Sequence, residues 1–112
     1  AVEQSQQPRL PDVDPAELRA AWLDILRRAR LVQHHRITRE QLSVREHMSL
    51  VLKRLQGQRF VEFQDMFDPA RGLGVLVVTF LAMLELAREN LLELTQAEAF
   101  APIYVRLAYV PS

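Results

Sequence analysis

A mostly α-helical domain with a small β-hairpin is the fold class that this sequence predicts, and three observations predict it. Residues 14–31 and 43–56 repeat apolar side chains at spacings of three and four behind recognisable caps. Residues 75–84 are almost wholly apolar, broken only by Thr79 and Ala82. Beyond them "LLELTQ" and "IYVRLAY" alternate apolar with polar residues around a turn-like "AEAFAP". Periods near 3.6 belong to helices packed on one side, and a period of 2 to half-buried strands.

Residues 1–13 are polar, hold two prolines and have no period, so they read as a flexible linker or tail. Residues 14–42 read as an amphipathic helix and a connector. Asp14 suits the N-cap, Pro15 the first helical position, and Glu17 the far side of a capping box. Leu18, Ala21, Trp22, Ile25, Leu26 and Ala29 then form one stripe, with the arginines off it. Residues 32–42 are basic and aperiodic. From Ser43 to residue 109 the elements follow as helix, short strand, helical turn, long helix and hairpin. Ser43 and Glu46 box the first helix and Gly57 stops it, "RFVEF" alternates, and Asp68-Pro69 opens a long helix running to about Asn90. That order is the order of a winged-helix domain, so the whole reads as a winged-helix domain preceded by an amphipathic helix.

Composition narrows the function. The 112 residues are 49% hydrophobic and 25% charged with a net charge of zero, ordinary for a globular domain. With no cysteine, disulfides and thiolate metal sites are excluded. No apolar run reaches the roughly 20 residues a membrane span needs. His34-His35 is a thin metal candidate: His47 and Glu46 are the nearest other donors, and flanking arginines oppose a cation. "RGLG" lacks the lysine of a phosphate loop, and Ser43 is better explained as a cap than as a nucleophile. The expectation is a protein that is not an enzyme and holds no cofactor. Charge is uneven: residues 1–59 carry 11 Lys+Arg against 7 Asp+Glu, and residues 60–112 carry 3 against 7. The long helix offers Glu85, Arg88 and Glu89 on its polar side. It is a poor reader of base edges, so nucleic-acid contact is expected to be weak and non-specific, through Arg27, Arg28, Arg36 and Arg39. A DNA-binding winged-helix regulator is the alternative reading.

The long helix has more apolar surface than one core consumes. Val75, Ala82 and Leu86 can face the domain's own interior, which needs an arc of little more than roughly 100°. Val77, Phe80, Leu84 and Leu91 are then left over. A partner could cover them. So could the helix at 14–31, whose own stripe through Leu18, Trp22 and Ile25 also needs a home. Periodicity leaves both open.

"SVREHMSLVLKRL", "FVEFQDMF" and "VVTFLAMLELARENLLELTQAEAFAPIYVRL" closely resemble the C-terminal region of the bacterial kleisins, the segregation and condensation protein A (ScpA) family. The likeness runs over residues 43–107 and is most specific in the "VVTFLAMLEL" helix followed by "LTQ", Glu98, Phe100, Ile103 and Val105. "DPAELRAAWLDILRRAR" is similar to the helix preceding that region in proteobacterial members. Ala101-Pro102 departs from the Gly-acidic pair common at the hairpin tip. The resemblance implies a cytoplasmic protein of the nucleoid, active in chromosome condensation and segregation. It implies two partners: an SMC ATPase head, capped by the winged helix, and ScpB, bound by a preceding segment. It also implies that an aromatic and a leucine four residues apart on the long helix meet the head; these match Phe80 and Leu84. With the rest of the surplus stripe and the hairpin, the expected head-binding set is Val77, Phe80, Leu84, Leu91, Ile103 and Tyr104. Leu18, Trp22 and Ile25 are the expected contacts of the preceding helix, either with the flank of the winged-helix domain or with a partner chain such as ScpB.

Overall fold

The computed structural model describes residues 5–6, 10–32 and 42–110. Its elements are β1 (Ser5–Gln6), α1 (Pro15–Val32), α2 (Val44–Leu55), β2 (Val61–Glu62), two 3₁₀ turns (Phe63–Met66 and Pro69–Arg71), α3 (Leu73–Arg88), β3 (Leu92–Gln96), β4 (Ile103–Leu107) and β5 (Tyr109–Val110). The chain is mostly α-helical with a small three-stranded antiparallel sheet in the order β2-β4-β3, and a two-stranded ladder joins β1 to β5.

Local chemistry explains the element ends. The Asp14 carboxylate accepts from the Ala16 amide at 2.9 Å, which starts α1. Glu17 does not complete the expected capping box. Its carboxylate accepts instead from Gln96 Nε2 at 2.9 Å and from the Phe100 amide at 2.6 Å, so it ties α1 to the hairpin. At α2 the Ser43 hydroxyl accepts from the Glu46 amide at 3.2 Å, and buried His47 donates from Nδ1 to the Ser43 carbonyl at 2.8 Å. Ser43→Ala is expected to cost about 1 kcal/mol, because it orphans an amide of the first turn; a urea unfolding midpoint unchanged from the parent would refute this. Gly57, at φ +77°, turns the chain out of α2.

The long helix is shorter than its sequence signals. Asp68 does cap, accepting from the Ala70 amide at 3.0 Å, but the helix it opens is a separate 3₁₀ turn. Gly72 at φ +96° then breaks the chain, and α3 begins only at Leu73. At its other end Asn90 takes φ +62°, and the Leu91 amide reaches back to the Leu86 carbonyl at 2.9 Å. This left-handed residue ends the helix two residues past Arg88 and turns it into β3.

The core lies between α2, α3 and the sheet, with α1 across one side. Phe63, Leu55, Leu76, Met83, Leu86 and Val105 are its largest fully buried side chains. On β4, Ile103, Val105 and Leu107 face inward, and Val105 pairs with Leu94 of β3. Tyr104 and Arg106 fall on the opposite face, as the pleat requires.

The stretch read as a linker or tail is tied down where it is described. Thr95 Oγ1 donates to the Pro11 carbonyl at 2.8 Å, the Leu10 amide donates to Glu93 Oε1 at 3.1 Å, and Asp12 bridges Thr95 in antiparallel fashion. Residues 10–12 thereby cover the open edge of β3. Backbone groups at a sheet edge bond to whatever chain passes, and side-chain pattern does not report that pairing.

Candidate docking surface

α3 presents one contiguous apolar strip to solvent. Val77, Leu81 and Leu84 are 42%, 47% and 39% exposed. Their spacing of four and three puts them on a single face. Arg88 ends the strip one turn beyond Leu84, and its guanidinium donates to Glu85 Oε1 at 3.0 Å. The opposite side, through Leu76, Val78, Ala82, Met83 and Leu86, is buried.

The expected head-binding residues divide between this strip and the core. Val77 and Leu84 lie on it, and Tyr104 is 38% exposed on the outer face of the sheet. Phe80 is not bare. Its ring stacks on Trp22 of α1 with centroids 4.3 Å apart, and it meets Phe63 and Phe67 edge-on at 5.8 and 6.4 Å. Ile103 is a buried core residue, and Leu91 is partly buried against the same core. The division has a geometric cause. Phe80 lies about 40° round the helix from Leu84, on the side toward α1, and Trp22 covers it. Leu81, absent from the sequence reading, takes its place; its signal was the spacing of 77, 81 and 84.

α1 is therefore a cover for part of the surplus apolar surface. Ile25 and Ala29 are buried, and Leu18, Ala21 and Trp22 pack on the core. Trp22 also meets Phe67 at 5.3 Å. Of the two surfaces open to Leu18, Trp22 and Ile25, the structure directs them at this chain's own core. Arg28 of α1 donates to Gln64 Oε1 at 2.9 Å across to the first 3₁₀ turn and also pairs with Asp24. The Asp24 carboxyl is held below its usual range, first by the hydrogen bond from Arg27 at 2.6 Å and then by the charge of Arg28. Arg27 and Arg28, expected as nucleic-acid contacts, thus already have an anionic neighbour. Arg36, Arg39 and the His34-His35 pair lie outside the described residues. Among the described residues no three His, Cys, Asp or Glu side chains group as a metal site would require, and no helix is long and apolar enough to cross a membrane.

The sequence profile of segregation and condensation protein ScpA matches residues 7–108, a span that includes every element from α1 through β4. The chain belongs to the ScpA family. It is 47% identical over 97 residues to segregation and condensation protein A of Xylella fastidiosa, a match covering 86% of this chain and 32% of that protein. With the protein of the same name from Coxiella burnetii it shares 43% over 96 residues, covering 86% and 36%. With that of Listeria monocytogenes it shares 39% over 99 residues, covering 85% and 39%. The chain spans about a third of the length of these ScpA relatives. The matched segment includes α1 and the residues bonded to the β3 edge, so the ScpA likeness extends over the cover as well as over the helices and hairpin beneath it.

Proposed function

We propose that this chain is the head-capping part of a bacterial kleisin: a winged-helix domain that docks on an SMC ATPase head, in a protein that acts in chromosome condensation and segregation. The observation that carries the reading is the Val77–Leu81–Leu84 strip, three apolar side chains left in water on the most apolar helix of the chain. Removing such a strip from water contributes roughly 25 cal/mol per Å², which favours a protein partner. In this reading α2, α3 and the two 3₁₀ turns are the helical part of a winged helix, and β3–β4 is the wing. Tyr104 supplies a secondary contact from the outer face of the sheet. Phe80 acts from below, holding the strip in place through its stack on Trp22. The role is that of an adaptor and not of an enzyme, in the cytoplasm at the nucleoid, with ScpB bound by a segment preceding this one. The alternative, a regulator reading DNA bases with α3, fits poorly: the exposed side of α3 is apolar and its Arg88 is already bonded to Glu85.

The test is capture by an SMC head domain of the 112-residue chain carrying Leu81→Arg and Leu84→Arg. Both side chains face solvent, so melting should stay within a few degrees of the parent. Binding should fall at least tenfold, since docking would then bury unpaired charges. Undiminished capture by the folded variant would place the interface elsewhere.

A further inference from the structure

α1 covers Phe80, and it also extends the apolar surface beside it. The two helices run antiparallel: Pro15 and Leu18 share a cleft with Ala87 and Asn90, while Trp22 lies on Phe80. At 100° per residue from that contact, Leu84, Val77 and Leu81 lie about 40°, 60° and 100° round α3. Leu26 and Leu23 lie about 40° and 100° round α1 in the same sense. On antiparallel helices, equal senses from the contact line fall on one side. Ile25 and Ala29 lie in the opposite sense, as do Leu76 and Met83, and all four are buried. Leu23 is 52% exposed and Leu26 half-buried. The α3 strip is therefore one wall of a shallow groove, with α1 as the other wall and the Trp22–Phe80 stack as its floor.

Cations stand at both ends of this groove. Arg19 precedes Leu23 by one turn, level with Leu84, and Arg30 follows Leu26 by one turn, beyond Val77. They lie about 60° and 80° round α1 in the same sense as the leucines. Both are exposed, and among the described residues neither has an ion pair. Arg71 precedes α3 at the Arg30 end, and Arg88 with Glu85 closes the other. Asp24 lies about 160° from the contact line, on the back of α1. The exposed cations of α2 flank no groove: Arg45 and Arg54 point to opposite sides of that helix.

We propose that α1 is half of the docking surface, and that the groove between α1 and α3 takes an acidic amphipathic helix of the partner protein. Its apolar stripe would seat on Leu23, Leu26, Val77, Leu81 and Leu84, with carboxylates at its two ends against Arg19 and Arg30. Those arginines are about 16 Å apart along α1, the length of three helical turns. A helix is the element that fits a groove between helices, since no sheet edge lies on this side to template a strand. The apolar walls select protein over nucleic acid, because duplex DNA presents a phosphate rail and no apolar stripe. A lipid surface is matched by aromatic side chains on the outward face, and here Trp22 and Phe80 turn inward. A second copy of this chain is disfavoured, since an isologous contact would set the same arginines against each other. The proposal rests on the reading of the α3 strip as the surface that meets an SMC head, and adds to it the part of α1 and the chemistry of the partner element.

Titration of an SMC head domain with the 112-residue chain tests it. Leu23→Glu should bind at least tenfold more weakly, because the new carboxylate would be buried against an apolar stripe and its acids. Arg19→Gln with Arg30→Gln should bind roughly three- to tenfold more weakly at low salt, a difference that shrinks as salt screens the pairs. These side chains are exposed, so melting should match the parent. Arg45→Gln with Arg54→Gln, on α2, should change affinity less than twofold. Hydrogen exchange on the complex should protect a helix of the head that carries carboxylates at both ends. If Leu81→Arg with Leu84→Arg loses binding while the α1 variants keep it, the α3 reading stands and this proposal alone is overturned. If none of these variants loses binding, both fall. Protection confined to a strand or loop of the head also overturns the proposal. So does binding of the parent, but not of Leu23→Glu, to vesicles of phosphatidylcholine and phosphatidylserine, which would assign the groove to a lipid surface.

Discussion

Phe80→Ala is expected to lower the stability of this chain by about 3 kcal/mol, in the lower part of the range for removing a packed aromatic. Phe80 belongs to a cluster in which Trp22 stacks on it at 4.3 Å while Phe63 and Phe67 approach edge-on. The substitution leaves a void among three rings that belong to α1 and to the first 3₁₀ turn and its end. Those rings cannot close it without moving α1. Trp22→Ala should have a loss of similar size, and the double variant should lose less than the sum by about 0.5–1.5 kcal/mol, the coupling typical of an aromatic pair. Leu84→Ala, one turn further along on the exposed strip, should change stability by less than about 0.5 kcal/mol. Urea unfolding of the four variants checks the set. Equal small losses at Phe80 and Leu84 would mean that Phe80 is as free as the strip. The contrast also bears on partner binding. A charge at Phe80 should destroy the fold and a charge at Leu84 only the docking, so lost capture by a Phe80 variant says nothing about the interface.

Glu93→Ala should be comparably damaging, at about 3 kcal/mol, because it leaves a buried guanidinium short of its counter-charge. Glu93 Oε2 accepts from Arg106 Nη2 at 3.1 Å and from Nε at 3.3 Å, and the two side chains are only 18% and 8% exposed. The ring of Phe60 lies over the guanidinium at 5.7 Å. The same carboxylate accepts from the Leu10 amide at 3.1 Å, so one residue balances the charge inside the sheet face and anchors the segment at its edge. Two readouts separate these roles. Thermal unfolding should drop by roughly 10–20 °C for a loss of that size, and hydrogen exchange at the Leu10 amide should accelerate beyond the global change. Replacing both partners, Glu93→Leu with Arg106→Met, should recover most of the stability, since an apolar pair of similar size needs no compensation. If Glu93→Ala alone melts with the parent, the Glu93–Arg106 pair contributes nothing measurable to stability.

Much of this architecture was legible in the sequence because it rests on local chemistry. Asp14, Ser43 and Asp68 cap within three residues of themselves, Gly57 turns by its own conformational freedom, and the alternation of Ile103, Val105 and Leu107 needs only a strand with one buried face. The surplus of apolar surface on α3 was legible too, as an amount. Its allocation was not. Phe80 and Leu84 look alike in the sequence, and only the approach of α1, with Trp22 against one and water against the other, separates them. Tertiary contact likewise decided what Glu17 bonds, since its carboxylate chooses between its own first turn and a hairpin 79 residues away. The same holds for residues 10–12, whose backbone groups complete a sheet edge with no side-chain pattern to announce it. A capping motif or a strand period is set by neighbours along the chain. Which apolar face is covered, which arginine is neutralised and which strand edge is filled depend on elements brought together across the fold.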